Sequence, residues 1–491
     1  MGAAAEVNGG RRILFASKPS WGHINLLISI AGELAARGIG DIWFASTDER
    51  KAEIEAISGG ESVRFVSLGP SKPELEPENW PDKTMRAMTA GSPLRNLATV
   101  IDVNTDPGYS RQQYLRTLEV VDEVRPALAV IDLDSRWAID AVTRKGVPYM
   151  LSCSGPVSCI YAERLPWSYP TPFSGLSKDM SPSQRIRNVL FRLGVMAVPM
   201  RPRCLLSALI PIFKAIVEDI RTDPFGGKPD TDYISGRQSQ YADGAVAVLA
   251  HSVFGIEYPF PNIPGNLRML GAIIPRDVDT EVTDDDLARW LDTHESVVYA
   301  AFGTIMRLAP QQVQAIVDVA VRLGPEHHVL WKLPRSRQHL LPSELPPNLR
   351  VESWVPSQPA VLAHPHVRVF FNHGDGNAIH EGLHFGKPQL VMPFWMDNLD
   401  NAARIVDSGA GLALSRARDP NAGDIAAKLT RLLDKRGFRS SAEGWSRQLR
   451  EAGGVVAAAD EIAAALDKRA FPAHQPSCYR ALPADSYERL P

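Results

Sequence analysis

Cysteine is scarce: the 491 residues hold four, Cys153, Cys159, Cys204 and Cys478, with no Cys-x-x-Cys pair. So few in so long a chain exclude a disulfide scaffold and a zinc ribbon and fit a reducing compartment. No uninterrupted apolar run reaches the ~20 residues that a bilayer span needs. The nearest, Leu205–Val217, is broken by Pro211 and Lys214; it reads as a buried or surface amphipathic helix, with at most peripheral membrane contact. Neither sign of charge is in excess. Lys plus Arg is 53, Asp plus Glu is 56, and the formal charge is -3, with a pI near 6.5. A polyanion binder carries a basic surplus, so nucleic acid is not an expected partner. The opening MGAAAEVNGGRR has no apolar core of the signal-peptide kind, and Glu6 stands where myristoylation wants Ser or Thr. A cytoplasmic protein is expected.

A hydrophobic content of 44% against 22% charge describes a globular chain. At ~100–200 residues per domain it is long enough for two or three units. Apolar periodicity alternates between strand and helix, the pattern of a parallel α/β sheet. Strands are predicted at Arg12–Ser17, Asp41–Ser46, Val63–Leu68, Ala127–Ile131, Pro148–Ser152 and Ala245–His251. Helices are predicted at Asn25–Arg37, closed by Gly38, and at Arg136–Lys145, closed by Gly146. Between about 154 and 239 the alternation is lost in a Pro- and Arg-rich helical insertion. Tyr258-Pro-Phe-Pro-Asn-Ile-Pro-Gly then starts a linker expected over 258–280. Beyond it the alternation resumes, with strands at Val297–Phe302, His328–Leu333, Val367–Phe371 and Gln389–Pro393, and helices at Pro310–Leu323 and Asn377–Phe385. The expected architecture is therefore an N-terminal domain over 1–257, the linker, and a C-terminal domain over 281–450. A last segment, 451–491, is expected to be a helix and tail packing back on the first domain. In two doubly wound domains the ligand cleft lies between them, beyond the carboxyl ends of the strands.

The most informative stretch runs from Trp354 to Asn401. It holds Trp354-Val-Pro356, Gln358, His364, His373-Gly-Asp-Gly-Asn377, Glu381, Gly386-Lys-Pro388 and Asp397-Asn398. His373 and the small residues after it fall between a strand end and a helix start. The backbone N–H groups of Gly376, Asn377 and Ala378, with the Asn377 amide, would cradle a phosphate there. Glu381, one turn on, could accept from ribose hydroxyls, and Trp354 could stack on a base. Nearer the N-terminus, His23 follows the first strand and Asp132 ends another. A histidine of near-neutral pKa can take the proton of a weakly nucleophilic hydroxyl, and a carboxylate on its second nitrogen fixes the tautomer. Blander readings exist: a loop-packing His23, a helix-capping Asp132 with Asp134 and Asp140 as rivals, and a core Trp354.

This framework resembles the donor-binding signature of the family 1 glycosyltransferases, the UDP-glycosyltransferase superfamily. Ser20-Trp-Gly-His23-Ile-Asn25, Val130-Ile-Asp132-Leu with Trp137 and Gly146-Val-Pro148, and Tyr299-Ala-Ala-Phe302-Gly303-Thr304 resemble further motifs of the family, in the same order. The resemblance implies a GT-B fold, two Rossmann-like domains facing an inter-domain cleft. It implies an inverting hexosyltransferase of secondary metabolism acting on a UDP-sugar, UDP-glucose or a related UDP-hexose, and on a hydroxyl of a lipophilic small molecule. In this reading His23 is the base and Asp132 orients it. Trp354 stacks on uracil, the Val355 backbone reads its edge, and Gln358 or Ser357 reaches the base or ribose. Glu381 holds the ribose hydroxyls, Thr304, His373 and Asn377 meet the diphosphate, and Asp397 and Asn398 hold the sugar. Neither an organic cofactor nor a metal is expected. The alternatives are a nucleotide-sugar epimerase and a catalytically weakened sugar-nucleotide-binding partner protein.

Four departures from the family pattern bear on the donor. Asp375 stands where Gly is usual, and a carboxylate ~4 Å from a diphosphate oxygen costs on the order of 4 kcal/mol at an effective dielectric of 20. Asn398 replaces a usual Gln, one methylene longer. One extra residue lies within Ser357–Ala363, and Ala378 replaces a common Ser.

Overall fold

Short Val-, Ile-, Leu- and Phe-rich runs buried on both faces make the centre of each half. In β1 (Arg12–Ala16) the residues Ile13, Leu14 and Phe15 are wholly buried, as a central parallel strand requires. The computed structural model describes residues 12–57, 63–90, 92–104, 106–201, 238–415 and 419–467. Its first sheet adds β2 (Asp41–Ser46), β3 (Val63–Ser67), β4 (Leu128–Asp132), β5 (Tyr149–Cys153), β6 (Ala247–Ala250) and β7 (Leu267–Met269). The order is β3-β2-β1-β4-β5-β6-β7, with every pairing parallel. The second sheet comprises β8 (Val297–Ala301), β9 (His328–Lys332), β10 (Leu349–Glu352), β11 (Val367–Asn372), β12 (Gln389–Val391) and β13 (Gly411–Ala413). Its order is β10-β9-β8-β11-β12-β13, again all parallel.

Five helices carry, line or brace the site: α1 (Trp21–Ala36), α2 (Pro182–Ala197), α3 (Gly376–His384), α4 (Asp397–Asp407) and α5 (Gly454–Asp467). Leu27, Ile30 and Leu34 of α1 lie in one buried cluster with Ile13, Phe15 and Val130 of the sheet. Val455, Ala458 and Ile462 of α5 join the same cluster, so the last described helix packs on the first domain. In each sheet the strand order reverses once, at β1/β4 and at β8/β11. Side chains leaving the carboxyl ends at those two points face the crevice that the reversal opens.

Three expectations change. Helix α1 begins at Trp21, four residues before Asn25, because Ser20 takes the N-cap backbone position; His23 is therefore in a first helical turn and not in a loop. The stretch 258–280 contains β7, so it is not all linker. A three-residue edge strand with Pro264 just before it needs little apolar pattern, and proline is tolerated there. The phosphate-side helix starts at Gly376 because Asp375 caps it. Within the insertion the described elements are a short helix, Val157–Ile160, α2, a 3-10 turn, Val198–Met200, and the first residues of the helix Gln238–Gly244. Leu205–Val217, Cys204, Cys478 and the tail after 467 lie outside the described residues.

Candidate active site between the two sheets

Because β1 and β4 are neighbours, the helix that follows β1 and the last residue of β4 meet. His23 Nδ1 is 2.9 Å from Asp132 Oδ1 and 3.0 Å from Ser154 Oγ. Asp132 is 2% exposed, and its Oδ2 accepts from Ser135 Oγ at 3.2 Å. A carboxylate accepts, so in the tautomer that suits this pair Nδ1 donates and Nε2 is the nitrogen that faces away from Asp132. The helix-cap position after β4 belongs to Ser135, not to Asp132. Of the rival carboxylates, Asp134 lies on the other side of the ring, its Oδ2 3.8 Å from Nε2. Lys18 Nζ is 2.8 Å from Asp134 and is the main cause of a strongly depressed carboxyl pKa there. Asp140 sits on the following helix beside Tyr241.

Across the cleft, His373 directly follows β11. Its ring lies against Gly303, where a Cβ would come 2.9 Å from His373 Nε2; with φ +73 that position suits glycine alone. Burial lowers the His373 pKa more than Asp375 raises it, which favours a neutral imidazole, and Nδ1 is buried without a partner. Thr304 is exposed beside it. Asp375 caps α3, its Oδ2 accepting the Asn377 N–H at 3.1 Å. Its carboxylate thus already takes one of the donors that the sequence assigned to a phosphate. The Asn377 amide is committed too, donating to Gly22 O at 3.0 Å, next to His23. A Cβ on Gly376 would lie 3.0 Å from Ser154 O, so the start of α3 presses against the residue that touches His23. Ala378 is buried behind it.

The residues expected at the base and ribose form a second cluster. Gln358 Nε2 donates to Glu381 Oε2 at 2.6 Å, and Tyr299 donates to Gln358 Oε1 at 3.2 Å. Burial raises the Glu381 pKa. Ser357 caps the helix Gln358–Ala363 by accepting the Ala360 N–H, which leaves Gln358 as the residue in the cluster. Trp354 is 63% exposed, with Lys332 Nζ 4.9 Å from its ring centroid, while Val355 is buried. Asp397 and Asn398, the pair expected at the sugar, start α4. Met396, just before it, holds φ 45, a strained value for a side chain of that size. Asp397 accepts from Asn401 Nδ2 at 3.3 Å, and its carboxyl is pushed up to about 8, mainly by burial and then by Asp375 and Asp400. Asn398 is buried with its Oδ1 unpartnered.

Several participants were not found in the sequence. Lys332 ends β9, two strands from β11, and the strand order alone could have flagged it. Asp400 accepts from the Phe173 and Gly175 N–H groups at 2.6 and 2.8 Å. Arg404 is buried, 3.3 Å from Glu257 and 3.0 Å from Ser158 Oγ. His380 donates from Nδ1 to Gly376 O and accepts at Nε2 from Ser252 Oγ at 2.8 Å. The contacts of Asp400 with 173–175, of Arg404 with Ser158 and Glu257, and of His380 with Ser252 join the two halves from residues distant in sequence, and no local pattern marks them. Among the described residues no three His, Cys, Asp or Glu side chains gather as a metal site, and no helix is long and apolar enough to cross a membrane.

Comparison with known proteins converges on one family. The family described as "UDP-glucoronosyl and UDP-glucosyl transferase" matches residues 163–447. UDP-glucuronosyltransferase 2B15 of Rattus norvegicus is 26% identical over 288 residues, 56% of this chain and 48% of that protein. Glycosyltransferase sdnJ of Sordaria araneosa is 32% identical over 201 residues, 38% of each chain. The chain thus spans about half the length or less of these curated relatives. Among solved structures, the glycotransferase of kitacinnamycin has a TM-score of 0.65 at 19% identity, covering 93% of this chain and 99% of its own. UDP-glucose: anthocyanidin 3-O-glucosyltransferase, solved in complex with UDP, has a TM-score of 0.62 at 17% identity, covering 94% and 99%. The fold of those structures is the same pair of switch-point sheets. The match over more than half of its length makes this chain a member of the UDP-glucoronosyl and UDP-glucosyl transferase family, the family 1 glycosyltransferases, with a GT-B fold.

Proposed function

We propose that the protein transfers a hexose from a UDP-sugar, UDP-glucose or a close relative, to a hydroxyl of a lipophilic small molecule, with inversion at the anomeric carbon. The observation that carries this reading is the His23–Asp132 pair at 2.9 Å, placed one residue from the Gly22–Asn377 contact with the donor half. The acceptor O–H donates to His23 Nε2. As that proton moves, the acceptor oxygen bonds to the anomeric carbon from the face opposite the nucleotide, and the carbon–phosphate-oxygen bond breaks. Asp132 supports the imidazolium that forms. UDP departs with the bonding pair, its charge met by the N–H groups at the start of α3. The residues at hand serve this step without a metal, and metal-independence is part of the proposal.

Asp375 shapes the donor side. To admit a diphosphate its carboxylate must leave the Asn377 N–H and turn out of the cradle, so a bond already made in the free protein is exchanged for the ligand's. Asn398, buried with a free carbonyl oxygen, and Asp397 are the groups offered to the sugar. Cytoplasmic location, a role in secondary metabolism and a phenolic, terpenoid, sterol or polyketide acceptor belong to the same proposal. They rest on family likeness and composition. Incubation with UDP-glucose and a panel of those acceptors, read by mass spectrometry and by the anomeric coupling constant, tests it. A glycoside of configuration opposite to the donor's is expected. A product of retained configuration, or sugar-nucleotide conversion without acceptor, would contradict it.

A further inference from the structure

Two carboxylates flank the His23 ring, and only Asp132 is needed to orient it. Strands β1 and β4 are neighbours, so the segments leaving their carboxyl ends run side by side, and Lys18 and Asp134 each stand two residues past a strand end. Their placement is tied to the dyad. The Lys18 N–H donates to Ser135 Oγ at 2.9 Å, and that hydroxyl donates to Asp132 Oδ2 at 3.2 Å. Ser135 is wholly buried. Lys18 Nζ donates to Asp134 Oδ2 at 2.8 Å, and the same oxygen lies 3.8 Å from His23 Nε2.

The pair is not a strut. The Lys18 and Asp134 side chains are 33% and 42% exposed, and an ion pair this open adds little to folding stability. Its effect is to set a carboxylate beside the nitrogen proposed to take the acceptor's proton. Lys18 is the largest cause of the depressed Asp134 carboxyl pKa, so the group accepts hydrogen bonds and donates none. A hydroxyl has one proton. An acceptor that gives it to Nε2 brings its carbon frame beside Asp134, and covering a carboxylate with apolar surface is costly unless a hydrogen bond is made to it. A second donor on the acceptor removes that cost, and the spacing sets its place. Nε2 and Oδ2 are 3.8 Å apart. Hydroxyls on adjacent carbons are separated by about one hydrogen-bond length, ~2.8 Å, so each can reach one of the two. An ammonium donor is disfavoured there, since Lys18 Nζ already sits 2.8 Å from the same oxygen.

On the hexosyl-transfer reading, on which this inference rests, we propose that the acceptor carries a vicinal pair of hydroxyls, a catechol or a 1,2-diol, with one hydroxyl on His23 Nε2 and the other donating to Asp134. Asp134 binds the second hydroxyl, Lys18 positions Asp134, and neither takes the reacting proton.

The test compares 4-tert-butylcatechol with 4-tert-butylphenol, which lacks only the second hydroxyl, on the full chain. Calorimetry reads binding alone, and mass spectrometry with UDP-glucose reads kcat/KM. The wild type should favour the catechol by about tenfold or more in both, the usual worth of a hydrogen bond to a charged group. Asp134→Ala should abolish that preference. Asp134→Asn, which keeps an accepting oxygen, should retain part of it, and Lys18→Met should weaken it. All three variants should melt close to the wild type, because the two side chains are partly exposed. No catechol binding by the wild type, equal affinity for the two ligands, or a preference that survives Asp134→Ala would overturn the proposal. So would an equal loss of catechol and phenol turnover in Asp134→Ala, which would make Asp134 a partner of the imidazolium instead. A binding preference that Asp134→Ala abolishes, with no glycoside formed from any UDP-sugar, would uphold the diol site and overturn the transfer reading.

Discussion

The two sides of the cleft stand in different states of readiness. On the N-terminal side the proposed base already has its partners, with His23 bound through Nδ1 to Asp132 and Ser154. On the C-terminal side the groups that would meet a donor are engaged with the protein itself. Asp375 holds the Asn377 N–H, Asn377 holds Gly22, Gln358 holds Glu381, and Lys332 rests on Trp354. A base works through fixed geometry and benefits from being set before substrate arrives. A donor cradle that must exchange internal bonds for ligand bonds loses affinity, and it discriminates against ligands that cannot replace what they displace.

Breaking the prepared side should have the largest effect. His23→Ala removes the base and should lower kcat by ~10²–10⁴-fold, with UDP binding measured by calorimetry unchanged. Near-wild-type turnover would make His23 a packing residue. Next comes the joint between the sides. Arg404→Ala strands the buried Glu257 beside α4 and should destabilise the protein by about 3–5 kcal/mol in denaturant titration, the usual cost of breaking a buried pair. A loss below ~1 kcal/mol would mean that water reaches the pair. Asp132→Asn, which no longer enforces the Nδ1–H tautomer, should lower kcat by about 10–100-fold and leave donor KM alone. An unchanged rate would transfer the orienting role to Asp134.

The smallest effect is a matter of pH. Asp397 is pushed up to about 8 in the folded protein, so between about pH 4 and 8 the folded state keeps a proton that the unfolded chain has lost. Stability contributed by that proton is present at low pH and lost as pH rises through 8. Asp397→Asn should flatten this slope in a melting-temperature series, and an identical slope in both proteins would mean that Asp397 is ionised throughout.

How much of this was legible in the sequence obeys the same division. Alternating apolar runs predicted ten of the thirteen described strands and missed β7, β10 and β13, which are three or four residues long; His23 and Asp132 were legible through the family motifs that hold them, and the neighbouring β1 and β4 are what bring the two together. Trp354, Gln358, His373, Asn377 and Glu381 were legible as a spaced set along one segment. What the segment could not reveal is how those side chains are occupied. Asp375 was legible as a carboxylate beside the expected phosphates, but its capping of the helix that it precedes, a short-range role that Asp commonly takes, was not read. Lys332, Asp400, Arg404 and His380 act across chain separations that no period encodes. β7 escaped because three residues at a sheet edge carry too little pattern beside a run of prolines.

The central claim, that the donor cradle is held by its own Asp375, is tested most directly by titrating UDP into the wild type and into Asp375→Gly, with and without Mg²⁺. Glycine is tolerated at a helix cap at a cost of only a few tenths of a kcal/mol, so the variant should fold. The account predicts metal-independent binding in both proteins, tighter in the variant by up to about a thousandfold, the ceiling set by ~4 kcal/mol of like-charge repulsion. Weaker binding by the variant, or wild-type binding that requires Mg²⁺, would contradict it and make Asp375 a working part of the donor site.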